Sequence, residues 1–180
     1  MKQTLIMIST ALMAGLIGCK QQEVQENPLM TEFTTIHETP PFELIKTEHY
    51  LPAVKFGIEE AKKDVDRIVQ STEAPTFENT IVALEYSGKR LNQTLSVFYN
   101  IMEAETSPEL QAAAREISPM VTEYGNDISL NENLFARIKV VYDKREQLNL
   151  TPEQRTLLEK TYSGFVRGGA NLVPELRDRF

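Results

Sequence analysis

The chain has 180 residues, with one cysteine, two histidines and no tryptophan. A single cysteine cannot close an internal disulfide, which excludes a stapled fold. Zinc usually takes three or four protein ligands, and the two histidines and one cysteine form no Cys/His cluster in the sequence to supply them. No stretch carries the clustered Lys/Arg footprint of a dedicated nucleic-acid binder. The net charge is −7, and lysines and arginines alternate with acidic residues along most segments, as on solvated helix faces. No nucleic-acid partner is therefore expected. G-x-S-x-G, a P-loop and G-x-G-x-x-G are all missing, so no nucleophile elbow or phosphate cradle is visible.

The longest apolar run is short. Leu5 to Ile17 follows Lys2 and covers 13 residues, too few to cross a bilayer but suited to a signal-peptide core. It ends in Leu16-Ile17-Gly18-Cys19, which resembles the bacterial lipobox. There a small residue lets the signal peptidase approach, and the cysteine thiolate takes the lipid. Residues 1–18 are expected to be a lipoprotein signal peptide and Cys19 the lipidated N-terminus of an exported protein held on a bacterial membrane. Polar residues follow to about position 30 and read as a tether, so that 19–40 is expected to be a lipid-anchored tether and extended segment. Thr31–Thr39 is expected to be extended because residues before Pro40-Pro41 avoid the α region.

From residue 41 onward the pattern is helical. Val54, Ile58, Ala61, Val65 and Ile68 form one apolar stripe on a helix predicted from Thr47 to about Gln70. Thr76 opens a second, with Ile81, Leu84, Gly88, Leu91, Leu95, Phe98 and Met102 spaced by three and four; Gly88 on that stripe predicts close approach of another helix. Ser107-Pro108-Glu109 starts a third, in which Pro119 should make a kink, and Asn126–Asn131 reads as a break. Leu134 to Leu148 supplies a fourth. Thr151-Pro152-Glu153-Gln154 is a capping box for a fifth, closed by Gly168-Gly169. A sixth is expected from Pro174, and at seven residues to Phe180 it reads as cut in mid-helix. There is no strand-like alternation and no internal repeat. The predicted class is all-α, built from antiparallel helical hairpins.

The search for chemistry is short. His37-Glu38-Thr39-Pro40-Pro41 begins like H-E-x-x-H, but its fifth residue is proline, and two prolines forbid the helix that would align both ligands. His49 falls in a first helical turn and reads as a surface or capping histidine. Catalytic, cofactor-binding and metal residues are accordingly expected to be absent from this chain, and Cys19 is the single modified position.

Several strings, taken in order, nevertheless resemble the N-terminal region of the thimet oligopeptidase, oligopeptidase A and peptidyl-dipeptidase family of zinc metallopeptidases. They include Glu48-His49-Tyr50-Leu51-Pro52-Ala53, Gly57-Ile58, Pro75-Thr76-Phe77-Glu78-Asn79-Thr80-Ile81, Ser87-Gly88, Leu134-Phe135-Ala136-Arg137-Ile138-Lys139 and Phe165-Val166-Arg167-Gly168-Gly169-Ala170. The resemblance covers roughly 40–180. It implies that 41–180 is the helical N-terminal lobe of an enzyme with two helical lobes around a narrow channel for short peptides. In such enzymes zinc sits on H-E-x-x-H and a downstream Glu, and the motif's Glu acts as general base. None of those ligands maps onto this sequence, so the expectation is a lobe truncated before the catalytic part, without cofactor of its own and inactive alone. The alternative is a non-catalytic, lipid-anchored helical module that binds peptides or a partner.

Overall fold

The computed structural model describes residues 26–172. The predicted signal peptide, Cys19 and the predicted sixth helix from Pro174 lie outside them. All regular structure among the described residues is helical: α1 (Thr47–Gln70), a π-wound turn (Phe77–Val82) running into α2 (Ala83–Glu85), α3 (Lys89–Ala104), α4 (Pro108–Ser129), α5 (Glu132–Asp143) and α6 (Pro152–Arg167), with short 3-10 turns between. The all-α class read from the sequence holds.

Local chemistry sets the helix starts. The hydroxyls of Thr76, Ser107 and Thr151 each accept the backbone N–H three residues on, from Asn79 (3.1 Å), Leu110 (3.2 Å) and Gln154 (3.3 Å). Asn79 and Gln154 return the bond to the cap's own N–H at 2.8 and 3.0 Å, which satisfies two otherwise orphaned donors at each end. Helix α1 has the predicted range, with Lys46 at its cap position, and the His49 ring Nδ1 accepts the Lys46 N–H at 3.1 Å.

Helix α1 is the spine. Its first half packs with α3 and α4 around Tyr50, Ala53, Val54, Ala61, Leu91, Phe98 and Ile117. Its last turns pack with the π turn, α5 and α6 around Val65, Ile68, Ile81, Leu134, Ile138 and Leu158. One amphipathic stripe thus serves two adjoining cores. Along the α1–α3 pair, Tyr50 meets Phe98, Gly57 meets Leu91 and Ala61 meets Gly88, so the numbers run in opposite senses and the pair is an antiparallel hairpin. Between α5 and α6 a row of rings, Phe165, Phe135, Tyr162 and Tyr142, stacks nearly parallel, and the Arg145 guanidinium caps it 4.3 Å from the Tyr142 centroid.

Three expectations change. The predicted second helix is interrupted: Gly88 takes φ +67, a left-handed conformation that L residues rarely adopt, so the chain turns there before α3. Helix α4 is continuous through Pro119; Pro119 and Arg115 are both exposed, so water can serve the carbonyl that the ring leaves without an N–H partner. The same helix continues to Ser129, which narrows the predicted Asn126–Asn131 break to Leu130 and Asn131.

The third change concerns the segment before α1. The proline rule governs only the preceding residue, and Thr39 obeys it (ψ 144). Ile36–Glu38 instead closes a 3-10 turn with His37 at φ 60 and Glu38 at φ 54, bracketed by Thr35 and Thr39, whose side chains bond to each other and across the turn. Nor is the chain free up to residue 30: Leu29 is 1% exposed within the α1–α3–α4 core, and the Asn27 side-chain amide donates to the His49 carbonyl at 2.8 Å. Residues 27–45 therefore form a strap laid on the helices.

Candidate binding clefts and the motif scaffold

The strap, α1 and the start of α3 enclose a cleft of about 270 Å³. Its geometry begins with two glycines. A Cβ on Gly57 would stand 2.9 Å from the Leu91 Cα, closer than real Cβ atoms come, so α1 and α3 touch backbone to backbone there. At Gly88 the left-handed turn points its N–H at Asp64 Oδ2, 3.2 Å away. Asp64 also pairs with Arg67 one turn along α1. Burial, and then the nearby Asp64 carboxylate, push the Tyr124 hydroxyl above its ordinary pKa.

Four carboxylates line this cleft, Glu32, Glu38, Glu60 and Asp64, opposite Lys89 and Arg90. A second, shallower opening of about 410 Å³ lies across Asp64 and Arg67 and is walled by Ser71, Asn79, Tyr86 and Ser87. The first is a polar cleft suited to contacts with charged or hydrogen-bonding groups; the second, which Ile68 and Ala83 also line, is the more apolar of the two.

The residues of the most specific string, Pro75 to Ile81, form a scaffold beside the second cleft. Phe77 and Ile81 are buried in the α5–α6 core. The Asn79 side-chain amide donates to the Ala74 carbonyl at 3.0 Å, tying the loop to the turn it precedes. From α5, Arg137 Nη1 donates to the carbonyls of Ser71 (3.0 Å) and Glu73 (3.2 Å), and Nη2 reaches Asn79 Oδ1 at 3.5 Å. Arg137 thus fastens the α1–π loop to α5, a role that spacing alone does not reveal because the partners are about 60 residues apart in sequence. Its Nε is buried without a hydrogen-bond partner.

His37 is exposed on the strap, and His49 is engaged in capping α1. The two histidines do not come together. Among the described residues no group of three His, Cys, Asp or Glu is placed to hold a metal ion. These residues do not fit zinc, and no hydrolytic step can be derived through them. Among the described residues no helix is long and apolar enough to cross a membrane.

No protein-family model matches the chain. Individual proteins do. Dipeptidyl carboxypeptidase of Escherichia coli (strain K12) is 38% identical over 147 residues, which is 82% of this chain and 22% of that protein. The protein of the same name in Salmonella typhimurium is 37% identical over 153 residues, 85% of this chain and 22% of its own length. Oligopeptidase A of E. coli is 27% identical over 154 residues, 86% and 22% of the two chains. The match therefore spans about a fifth of the length of each relative.

Proposed function

Since this chain carries the N-terminal region of the dipeptidyl carboxypeptidase and oligopeptidase A family, we propose that it serves as the helical N-terminal lobe of an exported zinc metallopeptidase that hydrolyses short oligopeptides. The observation that carries this reading is the 38% identity running through 82% of the chain. On this reading the lobe supplies one wall of a peptide channel, and its polar clefts present carboxylates, cations and amides to peptide termini and backbone. Zinc, the general base and the water-activating chemistry belong to other residues of the parent enzyme. Its anchor is Cys19, which holds the body outside the cytoplasm.

The fit of the residues to this role is structural. Gly57 and Gly88 let α1 and α3 close on each other, and Arg137 with Asn79 stiffens the loop between α1 and the π turn. A second reading is a lipid-anchored, non-catalytic helical module. It is favoured by one observation, that these residues bury two cores of their own.

Two measurements separate the readings. The DNA following codon 180, in the same or a neighbouring frame, is expected to encode H-E-x-x-H. The purified 180-residue chain is expected to leave short peptides uncut with zinc added, and to support chelator-sensitive cleavage once joined to that catalytic part. A gene that stops at Phe180 with no peptidase sequence nearby, together with peptide binding by the chain alone, would favour the module instead. For the anchor, globomycin is expected to block processing and Cys19→Ser to release the protein from membranes.

A further inference from the structure

Among the described residues, six large apolar side chains are markedly exposed, and three of them belong to the strap: Ile36 (81%), Phe42 (53%) and Leu44 (48%). They sit within nine residues of one another on a segment that is firmly docked. Leu29 is buried in the core, Asn27 bonds to His49, and the turn at His37 and Glu38 adopts left-handed conformations that cost about 1–3 kcal/mol each in non-glycine residues. A strained turn is thus retained where it leaves Ile36 the most exposed of these side chains.

The position of this segment in the chain says what it faces. Only eight Cα-to-Cα steps separate Cys19 from Asn27, a reach of about 28 Å even when fully extended. A body of this size has a radius of gyration of about 15 Å and hence a diameter near 40 Å. If Cys19 is lipidated, the point at which the chain joins the body lies less than one body diameter from the bilayer. The strap begins at that point. From these two observations we propose that the strap is a membrane-docking surface, with Ile36, Phe42 and Leu44 entering the lipid headgroup region beside the anchor. The inference rests on the reading of Cys19 as the lipid anchor.

Charge selects the kind of lipid. Glu32, Glu38, Glu43 and Glu48 are exposed on and beside the strap, and Lys46 is the one cation in the same stretch. Lys89 and Arg90 lie across the cleft from Glu32 and Glu38, away in sequence from the edge that carries Phe42, Glu43 and Leu44. An anionic surface repels this edge within a Debye length of about 10 Å at 0.1 M salt. The docking partner is therefore a zwitterionic leaflet, bound through apolar contact.

The chain has no tryptophan, so Phe42→Trp or Leu44→Trp introduces a single emitter. The full chain is expressed with its own leader, its lipid is checked by mass, and it is reconstituted in phosphatidylcholine vesicles containing brominated acyl chains. Tyr86→Trp, 72% exposed and distant in sequence, is the control. We expect bromolipid to quench the strap tryptophans at least twofold while leaving the control unchanged, with weaker quenching in phosphatidylglycerol vesicles at low salt. A lipidated, vesicle-bound protein whose strap tryptophans escape quenching overturns the docking surface and leaves the anchor standing; this holds equally if they are water-exposed or dried by a second copy. Absence of lipid on Cys19 overturns the anchor and the docking surface together.

Discussion

Arg137 Nη1 lies 3.0 Å from the carbonyl oxygen of Ser71, the residue that ends α1, although 66 positions separate them in sequence. The same nitrogen serves Glu73, and the other reaches Asn79. One planar cation thus ties two acceptors on a loop that has no core residue of its own between Ser71 and Thr76 to a third on the π turn. Hydrogen bonds to charged groups contribute about 1.5–3 kcal/mol each, and they are not additive when shared by one side chain. Arg137→Met should therefore lower unfolding free energy by roughly 2–3 kcal/mol in urea titration. Arg137→Lys should recover little of it, because an ammonium cannot span the three acceptors that the fork does. A full rescue by lysine would show that charge alone matters here.

The meeting of Gly57 and Leu91 gives a second prediction. At 2.9 Å from the Leu91 Cα, a new Cβ has no flexible neighbour to displace, since the obstacle is backbone. Gly57→Ala should cost about 1–3 kcal/mol as overpacking, despite alanine's better helix propensity of about 1 kcal/mol. Gly125 is the control: it also lies within a helix, and nothing stands within 4 Å of its would-be Cβ. Gly125→Ala should raise the melting temperature by a few degrees while Gly57→Ala lowers it.

These positions show how much could be seen in the residues beforehand. The helix starts at Thr76, Ser107 and Thr151 were legible, because cap chemistry is local and each hydroxyl needs only the next turn. Gly88 was half legible. Its place on an apolar stripe pointed to close approach, and Ala61 does come within 3.2 Å of its would-be Cβ. The left-handed φ that breaks the helix there left no mark in a three-four periodicity that continues on both sides. The strap was illegible for another reason. Leu29 and Met30 are a lone apolar pair in a polar stretch, and the burial of Leu29 depends on a space formed by helices that come later in the chain. Arg137 belongs with it: its clamp exists only after α5 has packed under the loop.

Tyr50 and Tyr124 predict the behaviour at high pH. Burial raises both hydroxyls above the ordinary value of 10.0, with Asp64 adding to the effect at Tyr124. Below that value folded and unfolded chains hold the same protons, and stability is complete in this respect. Above it the unfolded chain ionises first, so unfolding releases protons and stability falls until the folded-state values are passed. The urea midpoint should decline from about pH 10 upward, and Tyr124→Phe should flatten the decline. An unchanged slope in that variant would remove Tyr124 as a cause.

The strap supplies the last prediction, through a contrast between two of its aliphatic residues. Leu29 is 1% exposed and contacts the α1–α3–α4 core, whereas Ile36 is 81% exposed. Truncating a buried leucine to alanine costs about 2–5 kcal/mol in an unyielding site. Part of that cost can be avoided here if the strap detaches, since besides Leu29 it is held by the Asn27–His49 bond and by the partly buried Met30, Phe33 and Ile45. Leu29→Ala is therefore expected to cost the lower part of that range globally, yet to expose residues 27–45 to proteolysis many times faster than in the parent chain. Ile36→Ala, measured in solution without lipid, should leave both stability and cleavage rate within error. If Leu29→Ala melts the whole chain in one step with no early cleavage before α1, the strap is an integral part of the first core rather than a segment laid upon it.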